Sequence, residues 1–282
     1  MKLLRYGPPG QEKPALVAAD GSLRDLSLHV LDISPRVLDP KALDELRALD
    51  PTSLPKVEDG VRIGTPIANI GKLICVGLNY ADHAKESNLP VPSEPVLFMK
   101  ATSAICGPND AVIIPRGSEK TDWEVELGIV IGRKAQYVEC EQALEHVAGY
   151  CIVNDVSERA YQLERGGTWD KGKGCDTFAP IGPWLVTPDE ITDLRNLDMH
   201  LSVNGETRQN GNTRTMIFSI DEIVSYISQF MTLNPGDVIC TGTPPGVGAG
   251  MKPPQFLKPG DRMRLSISGL GEQCQEVVAW QR

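Results

Sequence analysis

Trp123-Glu124-Val125-Glu126-Leu127-Gly128-Ile129-Val130-Ile131-Gly132 sets the fold class of this chain. Successive side chains of a strand point to opposite faces, so Glu124 and Glu126 share one face, roughly 6–7 Å apart at about 3.3 Å per residue. Gly128, Val130 and Gly132 continue that face, while Trp123, Val125, Leu127, Ile129 and Ile131 line the other. A strand apolar on both sides along most of its length predicts a sheet covered on both faces. Two carboxylates at its end are costly there unless positive charge meets them, and a divalent cation is the natural candidate. The alternative is a solvated strand end that carries no ligand.

A third acidic residue bears on that choice. Gly149-Tyr150-Cys151-Ile152-Val153-Asn154-Asp155 is another short apolar run that ends in an acid. Two strand ends bearing Glu124, Glu126 and Asp155 supply an all-oxygen site, which suits Mg²⁺ or Mn²⁺ rather than zinc. Asp155 could equally cap a helix over 156–162, and the spacing alone does not choose.

At 282 residues the chain is long enough for one large domain and a small appendage. A net charge of −9 and the lack of any basic block argue against a nucleic-acid partner. The segment 1–9 lacks the apolar core of a signal peptide, and no uncharged run approaches the roughly 20 residues that span a bilayer. Seven scattered cysteines without a C-x-x-C pair read as reduced, mostly buried side chains. The expectation is a cytoplasmic protein with no membrane partner.

Residues 1–65 read as a small N-terminal domain, with short strands near Leu3–Tyr6 and Ala15–Ala18 and a helical stripe at Leu43, Leu46 and Leu49. Pro51-Thr52-Ser53-Leu54-Pro55 reads as a linker. From about 70 to 282, short apolar strands alternate with Gly- and Pro-rich turns, among them Leu73–Gly77, Val112–Ile114 and Val238–Thr241. Ser219 with Glu222 forms a capping-box pattern ahead of Ile223, Val224, Ile227 and Phe230, predicting an amphipathic helix. The class is α+β, dominated by strands.

Smaller motifs remain. His83 and Glu86 are spaced to share a helix face, where a carboxylate can orient an imidazole as a general base; a surface pair is the plainer reading. The segment 167–174 superficially matches G-x-x-x-x-G-K, but Cys175, Pro180 and Pro183 exclude a phosphate loop. It leaves Lys173 between two glycines in a tight loop. The glycine-rich stretch 241–250 follows a strand and reads as a ligand rim. Lys100 falls at another probable strand end.

In this order the pieces resemble the fumarylacetoacetate hydrolase family over about residues 70–280. The resemblance rests on Gly77-Leu78-Asn79-Tyr80-x-x-His83-x-x-Glu86, Phe98-x-Lys100, Glu124-x-Glu126, Asn154-Asp155 and Lys173-Gly174-x-Asp176. It continues through Asn204-Gly205-Glu206-x-x-Gln209 and Thr241-Gly242-Thr243-Pro244-x-Gly246-Val247-Gly248. It implies a mixed β-roll core with a small N-terminal domain, a homodimer, and Mg²⁺ or Mn²⁺ held by Glu124, Glu126 and Asp155. It also implies that His83 and Glu86 activate water, that Lys173 faces the keto oxygen, and that Tyr80, Lys100, Arg159, Gln162 and Thr243 contact the substrate. Leu78 departs from the Arg of many close relatives.

The implied activity is C–C bond hydrolysis of an acylpyruvate, a small diketo acid. The subgroup most similar acts on 2,4-diketo-3-deoxy-L-rhamnonate or fuconate and yields pyruvate and lactate. Ureidoglycolate lyase, oxaloacetate decarboxylase and fumarylpyruvate hydrolase are the alternatives within the family. A non-enzymatic binder of dicarboxylates is the alternative outside it.

Overall fold

The computed structural model describes residues 1–86 and 90–282; the side chains of residues 83–85 also lie outside that description. A long mixed sheet forms the centre. Its strands run in the order Leu23–Asp25, Lys13–Val17, Lys2–Tyr6, Ala179–Val186, Val147–Asn154, Val125–Ile131, Val238–Cys240, Leu73–Gly77 and Val96–Lys100. Neighbours along this path are antiparallel, except that Val238–Cys240 runs parallel to Leu73–Gly77. A second sheet of five strands, Glu206–Asn212, Asp198–Val203, Arg262–Ile267, Gly271–Ala279 and Val112–Ile114, lies beside it.

The two sheets carry different sequence signatures for a physical reason. Val125–Ile131 and Val147–Asn154 are buried along their whole length, so both read as continuous apolar runs. In the second sheet, Met199, Leu201 and Val203, and likewise Met263, Leu265 and Ile267, alternate with exposed or half-exposed residues, so only one face is covered. Buried amides tie the layers together. Gln273 Nε2 donates to the carbonyls of Ile152 and Gly182, both at 2.9 Å. Gln209 Oε1 accepts from Val125 N–H at 2.9 Å.

Residues 1–65, expected as a small N-terminal domain, contribute strands to the main sheet. Lys2–Tyr6 pairs on one edge with Lys13–Val17 and on the other with Ala179–Val186, so the N-terminal strands extend the main sheet. Leu3 and Leu4 are fully buried there. The expected helix is Pro40–Arg47, capped by the Asp39 carboxylate; it carries Leu43 and Leu46, and Leu49 lies beyond its end. The predicted amphipathic helix is Ile220–Ser228, where the Glu222 carboxylate accepts from the N–H and the hydroxyl of Ser219, each at 2.7 Å. Phe230 lies beyond its end and is exposed, stacked edge-on against Tyr226. Among the described residues no helix is long and apolar enough to cross a membrane.

Candidate metal centre and substrate cavity

The acidic site follows from strand register. Val125 pairs with Asn154 and Glu126 with Val153, so one step on Glu124 stands opposite Asp155. The Asp155 N–H donates to the Glu124 carbonyl at 2.9 Å. Residues opposite one another in an antiparallel pair share a face, so Glu124, Glu126 and Asp155 converge. All three are buried, and each offers an oxygen within 4.8 Å of the others. Oxygens bound to one Mg²⁺, Mn²⁺ or Ca²⁺-sized ion at about 2.0–2.6 Å stand at most about 4–5 Å apart, so the triad fits a hard divalent cation.

The helix-cap alternative for Asp155 fails. The chain continues as the short strand Ser157–Glu158, and the Glu158 carboxylate caps the helix Arg159–Leu163 by accepting from Ala160 N–H. Lys173 closes the floor of the site. Its Nζ donates to Glu124 Oε2 and Asp155 Oδ2, both at 2.6 Å, and sits 5.0 Å from the Phe98 ring centroid. The expected loop around it is in fact a short helix, Asp170–Lys173, tied to the neighbouring strand by Asp170 Oδ1 accepting from Met99 N–H. Burial alone would lower the Lys173 pKa, but Asp155 and Glu124 outweigh it and hold the group above an ordinary lysine. Lys173 is therefore a fixed ammonium, not a base.

Glu126 behaves in the opposite sense. Burial first, then the charges of Asp155 and Glu124, push its pKa well above the usual carboxylate value, against the pull of Lys173 and the Gly242 N–H. Around the site, Asp122, Glu124, Glu126 and Asp155 are four buried carboxylates facing three buried cations, Lys100, Lys173 and Arg159. The surplus negative charge is what a divalent ion would neutralise.

Glu124, Glu126 and Lys173 line a cavity of about 360 Å³, with Asp155 buried behind them. Val76, Leu78, Phe98, Leu163, Trp169 and Val247 form an apolar wall, and Glu86, Arg159, Gln162 and Thr243 also line the cavity. Leu78, where many relatives are expected to carry Arg, reaches this wall from a left-handed backbone (φ 57°). The Glu86 carboxylate accepts from Gly246 N–H at 3.0 Å, which joins the helix Ala81–Glu86 to the 241–250 segment. That segment is a loop at a strand end, as its glycines predict. The side chain of His83, the expected base, lies outside the described residues.

Two expected substrate contacts are placed elsewhere. Tyr80 is fully buried with its hydroxyl on Met199 Sδ, and it does not line the cavity. Lys100 lies behind the triad, donating to Asp155 Oδ1 at 2.6 Å and to the Val156 carbonyl at 3.0 Å. Arg159 and Gln162 line the cavity but are bonded to each other at 3.0 Å, and Arg159 Nη2 also donates to Glu124 Oε1 at 2.7 Å. Thr243 lines the cavity, and its hydroxyl donates to the Val125 carbonyl and accepts from Gln209 Nε2, which ties the lining loop to the strand.

The residue the sequence reading missed is Asp122. It continues the alternation of Glu124 and Glu126 two positions earlier, and that D-x-E-x-E spacing was the available signal. Its fully buried carboxylate accepts four hydrogen bonds: from the N–H groups of Trp123, Gly248 and Ala249, and from Arg159 Nε.

Comparison with known proteins agrees with this architecture. Residues 72–278 match the family described as fumarylacetoacetate (FAA) hydrolase, C-terminal. A Burkholderia multivorans protein named only as a candidate hydrolase is 62% identical over 276 residues, 98% of each chain. The solved structure of fumarylacetoacetate hydrolase from Exiguobacterium antarcticum shares 38% identity, with a TM-score of 0.87 over 99% of this chain and 100% of that one. Maleylpyruvate hydrolase from a Sphingobium species, solved with manganese(II) and pyruvate, shares 30% identity, with a TM-score of 0.83 over 100% of both chains. The chain belongs to the fumarylacetoacetate hydrolase family.

Proposed function

We propose that the chain is a metal-dependent hydrolase that cleaves the C3–C4 bond of an acylpyruvate, with 2,4-diketo-3-deoxy-L-rhamnonate or fuconate as substrate and pyruvate and L-lactate as products. The observation that carries this reading is the convergence of three buried carboxylates and a fixed ammonium, with Glu124, Glu126 and the ammonium lining a cavity with an apolar wall. Glu124, Glu126 and Asp155 would hold Mg²⁺ or Mn²⁺, which supplies Lewis acidity toward the oxygens of an α-keto acid. Lys173 places its positive charge where the enolate oxygen of the departing pyruvate develops, a preorganised electrostatic role. Burial of the site keeps bulk water away from that charge. For the attacking water, His83 with Glu86 would serve as the base, taking a proton as the water oxygen bonds to C4. The C3–C4 electron pair stays on C3, which is then protonated, giving pyruvate and the free carboxylic acid. The apolar wall suits a neutral acyl end such as lactoyl, whose methyl group it can cover. We place the enzyme in the cytoplasm as a homodimer, which size-exclusion chromatography with light scattering tests.

The test is pyruvate release from a panel of acylpyruvates bearing lactoyl, acetyl, fumaryl and maleyl groups, with and without EDTA. Turnover should be greatest with the lactoyl substrates and should disappear on chelation. Turnover confined to the fumaryl or maleyl substrates would favour the second reading, supported by the likeness to the Sphingobium enzyme. Binding without pyruvate release from any substrate would leave a dicarboxylate binder.

A further inference from the structure

We propose that Asp122 is a positioning residue that sets the metal affinity of the site from behind, by keeping Arg159 from neutralising Glu124. The inference rests on the metal reading above. Asp122 stands outside the group of three carboxylates whose oxygens converge, and its own carboxylate already accepts four hydrogen bonds. Oδ1 accepts from Trp123 N at 2.8 Å and Gly248 N at 2.7 Å; Oδ2 accepts from Ala249 N at 3.0 Å and Arg159 Nε at 2.8 Å. It therefore faces one edge of the Arg159 guanidinium, while Nη2 on the same group reaches Glu124 Oε1 at 2.7 Å.

Arg159 is thus a strut between two carboxylates, one a candidate ligand and one not. Both stand within hydrogen-bond distance of a guanidinium, which stays charged at any ordinary pH. A guanidinium bonded to a ligand carboxylate competes with a cation for that ligand's charge. Asp122 takes up part of that charge and restores the negative surplus that favours a divalent ion. Because the same carboxylate holds Gly248 and Ala249, the cavity rim and the ligand set share one anchor.

The signs follow. Asp122→Asn keeps an oxygen for two backbone donors but turns an amide toward Arg159 Nε, pressing the guanidinium onto Glu124. Arg159→Gln removes the competitor while leaving every bond from the loop to Asp122 in place. Mn²⁺ binding to the full-length protein, followed by isothermal titration calorimetry, reads the effect without any turnover. Asp122→Asn should raise the Mn²⁺ Kd on the order of tenfold, in line with other partners of metal ligands. Arg159→Gln should bind Mn²⁺ at least as tightly as wild type, and the double variant should return to within about threefold of wild type.

A role confined to anchoring the loop predicts instead that the double variant is at least as weak as Asp122→Asn. That result overturns the proposal, as does an Asp122→Asn Kd unchanged beside a tight wild type. Should circular dichroism show that Asp122→Asn does not fold, Arg159→Gln decides alone, and weaker binding than wild type overturns the proposal. A wild type that fails to bind Mn²⁺, or a Glu126→Gln variant with undiminished affinity, removes the metal reading itself and this inference with it.

Discussion

At the scale of single residues, the site is an exercise in compensated charge. Lys173 touches two of the three candidate ligand carboxylates, so Lys173→Met should destabilise the metal-free protein strongly. Removing one partner of a buried pair typically costs about 3–5 kcal/mol, because the remaining charge is left uncompensated. Mn²⁺ should raise the thermal midpoint of this variant more than that of wild type, since the ion replaces the missing charge. Scanning calorimetry with EDTA and with Mn²⁺ checks both statements. His83→Ala separates chemistries. It should cut acylpyruvate hydrolysis by on the order of 10²-fold, typical of losing a general base. Any oxaloacetate decarboxylation, which needs no activated water, should fall much less. Equal losses in a pyruvate assay on both substrates would assign His83 to positioning. The convergence of the three carboxylates was legible because a period of two fixes which side chains share a strand face, and Asp155 closed the neighbouring apolar run. Tyr80 and Lys100 were not placed by any such rule. Tyr80 meets Met199 from 119 residues away and Lys100 meets Asp155 from 55, and periodicity carries no information about which distant segment arrives.

At the scale of elements, Gly172 shows how two short helices depend on each other. A Cβ there would lie 2.6 Å from the Gln162 N–H nitrogen and inside contact distance of the Glu158 carbonyl, both in or beside the helix Arg159–Leu163. Backbone cannot retreat as a flexible side chain can, so Gly172→Ala should displace the helix Asp170–Lys173 and move the Lys173 ammonium. The expected outcome is a loss of about 1–3 kcal/mol in urea unfolding, the usual cost of overpacking, with a larger proportional loss of turnover. Turnover that falls no further than the folded fraction would sink the positioning argument. The sequence reads as a loop here because four residues with a glycine among them carry no amphipathic stripe; the helix depends on its tertiary contacts. The end of the helix Ile220–Ser228 misled for a related reason. Phe230 keeps the spacing of the apolar face, yet the helix has ended before it, and the ring stacks 4.8 Å from Tyr226 in solvent.

For the whole molecule, burial of thiols gives a pH dependence with a definite sign. Burial pushes Cys106 and Cys151 from the ordinary 9.0 up to about 12, and Cys175 up to about 11. A group whose folded pKa is raised contributes stability that is present below its unfolded value and lost as pH climbs through the folded one. Urea midpoints should therefore lose the thiol contribution progressively between about pH 9 and 12, and Cys151→Ala should flatten that part of the fall. An undiminished slope in the variant would refute the assignment. In native protein, Ellman's reagent at pH 8 should modify the exposed Cys274 first. The continuous sheet that holds Cys151 also has a temporal side. Lys2–Tyr6 and Ala179–Val186 are neighbours in space but are made about 180 residues apart. At about 5–20 residues per second, a growing chain holds that edge of Lys2–Tyr6 open for on the order of 10–40 s. The order in which segments leave the ribosome therefore bears on whether this edge finds its own partner or that of another nascent chain.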